Sequence, residues 1–312
     1  MRKTLIETKY GITDASYDHA FWNAMRGDRE ALHKEIRNNT PSDNMYDLPL
    51  GASDKFKAKM NARSAFRSIA SVFETYDSAY KFIARDTSNT ATWLTGENEI
   101  PVDDGMDDFR YVSSSAKTLA SILKLESSFI QDNNFDVEEY LTDRLSRTFS
   151  RSEDDGFING DGEHTPFGLL DPEHGALTGV ETNALTFDNV TSLFFSVEPE
   201  YRESGTWMMN DTTALYLRNL KDDAGNYLWR GDPNQLLGRP VKISNYMPDS
   251  ETGKCPVAFG DFSYYWIVIR RPINVRVLSE LFQGEGKIGY LADENLDGFL
   301  IRQKATKTVK VL

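Results

Sequence analysis

Residues 136–170 read DVEEYLTDRLSRTFSRSEDDGFINGDGEHTPFGLL. Asp136 is an N-cap candidate, and Glu139 follows at the spacing of a capping box. Val137, Leu141, Leu145 and Phe149 recur every four residues and give one apolar face. Arg144, Arg147 and Arg151 fall toward the C-terminal half, where the helix macrodipole favours cations. The pattern predicts a helix over about 136–156, about six turns long. Asn159-Gly160-Asp161-Gly162 then supplies strong turn formers. His164 and His174 flank this acidic loop and invite a metal reading. A Ca²⁺ site needs roughly six or more oxygen ligands at workable spacing. Turn chemistry alone accounts for every residue type present, so a turn is expected.

The chain around this stretch is 312 residues long, with 39% hydrophobic residues, 18 Phe, 14 Tyr and 5 Trp. That composition predicts a folded protein with a sizeable core. No apolar run has the length of a membrane span, and the N-terminus lacks the apolar core of a signal peptide. The single cysteine, Cys255, excludes an intrachain disulfide framework and any CxxC motif. A net charge of −13 argues against a surface that grips nucleic acid throughout. The charge is uneven. Residues 54–85 carry Lys55, Lys57, Lys59, Arg63, Arg67, Lys81 and Arg85. Residues 96–108, GENEIPVDDGMDD, hold Glu97, Glu99, Asp103, Asp104, Asp107 and Asp108 without a base.

Upstream, residues 1–16 look polar and unpatterned, and Tyr17–Asn38 looks helical with a break at Gly27. Residues 54–75 are helix-prone. From 79 the pattern becomes strand-like, and two such flanks around the acidic tip predict a long projecting hairpin. Downstream, helices are expected at 187–204 and 211–222 around the strand TWMMN, with Asp188 and Asp211 as N-caps. The final third is strand-rich. Strands and helices are segregated, which predicts an α+β fold.

Other motifs fail on context. Asp293-Glu294-Asn295-Leu296-Asp297-Gly298 matches half of an EF-hand loop, but Lys304 stands where the bidentate Glu belongs, so a hairpin turn is expected there. Gly284–Gly289 matches GxGxxG without the βαβ surroundings a dinucleotide site needs. No GxSxG, HExxH or Walker A motif occurs. Nothing points to a catalytic centre or a cofactor.

The order of parts resembles the major capsid proteins of tailed bacteriophages, the Hong Kong 97 type. Phe157, Ile158, Asn159, Gly160, Asp161 and Gly162, then Gly168 and Leu169, look like the L-x-G-D-G turn that ends that family's spine helix. AFWNAMRG (20–27), MYDLP (45–49), ATWLTGENEIP (91–101), TWMMNDTTALYLRNLKDDAGNYLW (206–229), LLGRPVKISNYMP (236–248) and VAFGDFSYYWIVIRR (257–271) follow in the family's order. The resemblance spans roughly residues 20–312.

The resemblance implies an N-terminal arm over 1–46 and a peripheral domain over 47–165. That domain would include an extended loop at about 84–118 and the spine helix at about 136–156. An axial domain over 166–268 would follow, with 269–312 returning to the peripheral domain. It implies a non-enzymatic virion protein that assembles in the host bacterial cytoplasm. Copies of itself would form hexamers and pentamers of an icosahedral shell around double-stranded DNA bound without sequence specificity. A separate scaffolding protein, a portal and a decoration protein are the implied partners; no cofactor is. Ile100, with Glu285 or Gly286, stands where crosslinking members carry lysine and asparagine, and Asp293 matches the assisting acid. A shell without covalent crosslinks is therefore expected. The acidic tip is expected to dock on another subunit, with Arg63, Arg67, Arg144, Arg147 and Arg151 as candidate partners. The competing readings are an encapsulin-like compartment and a metal-dependent soluble enzyme.

Overall fold

The computed structural model describes residues 5–36, 39, 41, 45–75, 81–85, 109–113, 116–132 and 134–312. Three helices open the chain: α1 (Leu5–Tyr10), α2 (Asp14–Met25) and α3 (Arg29–Ile36). Residues 1–16 are thus not unpatterned throughout. Helix α1 is too short to display a period, yet Ile6 and Tyr10 are buried. The Thr13 hydroxyl accepts the Ser16 N–H and caps α2. Gly27, at φ 112°, separates α2 from α3.

Next come β1 (Tyr46–Asp47), α4 (Leu50–Arg63) and β2 (Ser71–Glu74). The helix-prone stretch 54–75 is therefore helical only to Arg63. Its tail becomes a strand because residues Trp266–Ile269 offer it a parallel partner edge. Strands β3 (Lys81–Arg85) and β4 (Phe109–Ser113) pair antiparallel, with Arg85 opposite Phe109. They form the root of the expected hairpin. The acidic residues Glu97, Glu99, Asp103, Asp104, Asp107 and Asp108, and Ile100, lie outside the described residues.

Strand β5 (Lys117–Glu126) turns Leu119, Ser121, Leu123 and Leu125 inward, and Thr118, Ala120, Ile122 and Lys124 outward. A short helix, α5 (Ser127–Gln131), leads to α6 (Val137–Asn159). The Asp136 carboxylate accepts the Glu139 N–H at 2.9 Å. Val137, Leu141, Leu145 and Phe149 are all buried, as their spacing requires. The helix runs to Asn159 rather than ending near Gly156, because Phe157 and Ile158 are wholly buried and packing holds the extra turn.

The second half comprises β6 (Leu177–Thr182), α7 (Phe187–Ser196), α8 (Pro199–Arg202), β7 (Thr206–Met209), α9 (Asp211–Asn219), β8 (Gln235–Leu236), β9 (Arg239–Ile243) and β10 (Val257–Gly260). Strands β11 (Tyr265–Leu278), β12 (Lys287–Leu300) and β13 (Thr306–Val311) complete it. The N-caps of α7 and α9 are Thr186, in a capping box with Asn189, and Asn210, not Asp188 and Asp211. Those aspartates sit inside the first turns, where they face the positive end of the helix dipole. Asp293–Gly298 is not a hairpin turn. It lies within β12, which is paired on both edges, so neighbouring strands satisfy its backbone. The reversal falls at 279–286 and uses Gly286, at φ 69°.

These strands build two main sheets. One is five-stranded, ordered β1-β11-β12-β5, with β2 parallel to the start of β11. The other is six-stranded, ordered β6-β13-β10-β7-β9-β8. The chain's last strand, β13, pairs with β10 and β6. So residues 269–312 do not all stay with the first sheet: β11 and β12 do, and β13 crosses to the second.

One core joins α1–α3, α4 and α6 to the first sheet, and includes Tyr17, Phe21, Met60, Phe149 and Tyr290. A second lies under α7–α9 and includes Trp207, Leu217 and Phe259. A third, with Phe66, Phe157, Leu169, Met208, Phe262 and Tyr265, fills the junction between the sheets.

Candidate assembly surface

The loop after α6 is a tight reversal. The Asp161 carboxylate accepts the N–H groups of Glu163, His164 and Thr165, each at 3.0 Å, and the Thr165 hydroxyl at 2.8 Å. The hydrogen bonds from Thr165, its N–H first, hold this carboxyl well below the usual carboxylate range. Beyond it the chain runs back along the helix end. The Leu169 N–H donates to the Phe157 carbonyl at 2.7 Å, and the Leu170 N–H to that of Ile158 at 3.0 Å. His174 stacks near Phe167, with ring centroids 4.3 Å apart. Among the described residues, no group of three or more His, Cys, Asp or Glu is placed to hold a metal ion, and no helix is long and apolar enough to cross a membrane.

The basic stretch 54–85 lies largely against acids of its own chain. Lys55, Lys59 and Arg63 recur every four residues on α4 and form one stripe facing α6. Lys55 pairs with Glu138 at 2.5 Å and Lys59 with Glu139 at 2.6 Å. Arg63 pairs with Asp143 and donates to the Asp143 carbonyl at 2.9 Å. The hydrogen bond from Arg63 lowers the Asp143 pKa. Lys57 pairs with Glu74 at 2.6 Å. These cations are thus paired with acids of their own subunit.

The candidate partners of the acidic tip separate in the same way. Arg67 is buried and forks onto Glu153 at 2.6 and 2.9 Å. Arg63 and Arg147 both meet Asp143, the latter at 3.3 Å. Arg144 and Arg151 are exposed on α6 and take no ion pair among the described residues. The four-residue stripe opposite Glu138, Glu139 and Asp143 was visible in the sequence. Its partner was not, because nothing in the spacing says that α4 lies on α6.

Sequence reasoning also missed an apolar surface on the second sheet's side. Phe195, Leu215, Tyr216, Tyr227, Leu228 and Leu237 are exposed, Phe195 to 64%. On α9 the inward face is Thr213, Ala214 and Leu217, so Leu215 and Tyr216 stand where an isolated amphipathic helix would be polar. That mismatch was the available signal. Arg202 lies over the Phe194 and Phe195 rings at 5.2 and 5.0 Å.

Comparison with known proteins fits this architecture. Residues 48–311 match the phage capsid family. The chain is 26% identical over 200 residues to the major capsid protein of Klebsiella oxytoca phage phiKO2, covering 59% of this chain and 45% of that protein. It therefore spans less than half the length of that curated relative. Among solved structures, the capsid of the native GTA particle is similar at 28% identity and a TM-score of 0.65, over 80% of this chain and 91% of that one. The structure titled Microbacterium phage Oxtober96 shares the fold at 16% identity and a TM-score of 0.58, over 80% and 91%. With most of its length matched and the Hong Kong 97-type architecture in place, this chain belongs to the phage capsid family.

Proposed function

We propose that this chain is the major capsid protein of a phage and assembles with copies of itself into the hexamers and pentamers of an icosahedral shell around double-stranded DNA. The observation that carries this reading is the family match over 48–311, together with an architecture that leaves a hairpin rooted at β3 and β4 and an apolar surface on the second sheet's side. The first sheet with its helices is the peripheral domain, and the second is the axial domain. Ring contacts in such a shell are heterologous, so different patches of neighbouring copies meet. Phe195, Leu215 and Tyr216 are suited to such contacts, since apolar side chains on a lone subunit otherwise remain in water. A separate scaffolding protein and a portal take part in assembly, which proceeds in the host bacterial cytoplasm. The shell is held without covalent crosslinks: Gly286 offers no side chain, and Glu285 meets Lys124 and Lys287 at 3.4 and 3.3 Å within its own subunit. Expression of the chain with its scaffolding partner should yield closed particles by negative-stain microscopy. A population that stays monomeric at every concentration would overturn the proposal.

The acidic tip docks on Arg144 and Arg151 of a neighbouring copy. An exposed pair contributes only about 0.2–1 kcal/mol, but a shell repeats each contact many times and the charges set register. Asp103→Lys with Asp104→Lys, and separately Arg144→Glu with Arg151→Glu, should each cut particle yield sharply. Combining the two sets should restore particles. Failure of the combined variant, with each chain still folded by circular dichroism, would end this pairing. Raised salt should weaken the contact in the wild type.

A further inference from the structure

Glu294 is the least expected charge in the molecule. It lies on β12, opposite Leu119 of β5, and its side chain is 3% exposed. The register between β11 and β12 shifts on either side of Arg271, and such irregularities re-aim side chains. Here Glu294 reaches Arg67, with Oε1 3.8 Å from Nη2. Arg67 is already held by Glu153, whose side chain has no exposure. The second oxygen of Glu294, Oε2, has no hydrogen-bond partner and is sealed from solvent.

Two buried carboxylates thus share one guanidinium. An uncompensated charge in such a place costs several kcal/mol, more than ordinary packing restores. The charged neighbours of Glu294 have partners of their own: Arg271, at the register shift on β11, is paired with Asp293. Lys57 on α4 is paired with Glu74 on β2. Asp154, beside Glu153 on α6, accepts the Ser64 hydroxyl at 2.5 Å and the N–H groups of Ala65 and Phe66 at 3.2 and 3.3 Å. It has its own donors and adds negative charge. A proton shared by the two carboxylates would balance the cluster.

We propose that Arg67, Glu153 and Glu294 form a buried latch holding one proton between its two carboxylates, which fastens α6 to β12 and to the segment leading into β2, and which loosens when that proton leaves. The proton belongs to the pair, because carboxylates this closely linked titrate together. Burial, then the charge of Glu153, pushes the Glu294 carboxyl from 4.5 up to about 8. The folded state therefore binds more protons than the unfolded chain between those values. Stability from this group is greatest at the acid end and is lost as pH rises from about 4.5 to about 8.

Calorimetry of the full chain from pH 5 to pH 9 tests this, wild type against Glu294→Gln. The amide stays neutral, so its melting temperature relative to wild type should climb with pH, by roughly 10 °C across the range. A constant difference would overturn the latch. Infrared spectra of the wild type give a second reading that needs no variant. A neutral carboxylic acid carbonyl band should be present at pH 6, shift on ¹³C labelling of glutamate carboxyls, and vanish by pH 10. Absence of a glutamate-shifted band at pH 6 would equally sink the proposal, and an unshifted band would assign the proton to Asp154 and do the same.

Discussion

Replacing Gly160 with valine should lower the melting temperature by roughly 10 °C and cut the soluble yield, while Gly51→Ala, an ordinary glycine substitution in α4, should fold as well as the wild type or slightly better. Gly160 caps α6 just before the chain reverses. A Cβ there would lie 2.1 Å from the Pro166 carbonyl oxygen and 2.3 Å from that of Gly156. Both are backbone atoms, so no rotamer relieves the collision. Gly168 faces it from the returning strand, where a Cβ would lie 2.5 Å from the Gly160 nitrogen and 2.7 Å from the Ile158 oxygen. The two glycines let the helix end and the returning chain touch backbone to backbone. Forcing them apart would lift Phe157 and Leu169 out of the core between the sheets. The cost is about 3 kcal/mol or more, at the upper end of overpacking penalties. At Gly51 a Cβ meets nothing within 4 Å, and alanine in a helix gains up to about 1 kcal/mol over glycine. Soluble yield and thermal melting compare the two. A Gly160→Val chain that melts within a few degrees of wild type would show that the reversal is not a structural joint.

Removal of residues 1–36 should be more damaging still, with loss of native near-ultraviolet circular dichroism and aggregation of the remainder. These residues are not an arm waiting for a neighbour to cover it. Ile6, Tyr10, Tyr17, Phe21, Met25, Leu32 and Ile36 are all buried within the subunit. Tyr10 and Tyr17 stack at 4.7 Å, and Tyr17 donates its hydroxyl to the Asp47 carbonyl at 2.7 Å. Lys9 and Tyr10 hold the Asp47 carboxylate at 2.6 and 3.0 Å. The Tyr290 hydroxyl on β12 donates to the Met25 carbonyl at 2.8 Å. Each large buried side chain contributes about 1.5–3 kcal/mol. Together the seven contribute about 10–21 kcal/mol, comparable to the roughly 5–15 kcal/mol by which a domain is stable. The single change Tyr17→Ala alone should cost about 3–5 kcal/mol. A truncated chain that remains soluble with an intact aromatic spectrum would mean that the helices are dispensable to the fold.

The sequence by itself determined the elements whose signal is local. The α6 helix was written in a four-residue repeat and a capping pair, and the turn after it in Asn159, Gly160, Asp161 and Gly162. The hairpin root at β3 and β4 and the inward row of β5 were legible as two-residue alternation. The order of these parts carried the family resemblance. What required the tertiary structure was every choice of partner. The basic stripe on α4 could have faced water, nucleic acid or another subunit; only the docking of α4 on α6 gave it Glu138, Glu139 and Asp143. Asp293–Gly298 had the composition of a turn, and became strand because β11 pairs along one edge and β5 along the other as far as Leu296. The final strand left the first sheet for the second because β10 and β6 present edges to it. Glu294 reads as part of that expected turn, and its burial against Arg67 and Glu153 follows from contacts some 140 to 230 residues apart along the chain. Periodicity reports which face of an element is apolar, but the free energy that selects a neighbour comes from burial and pairing over distances that no local pattern encodes.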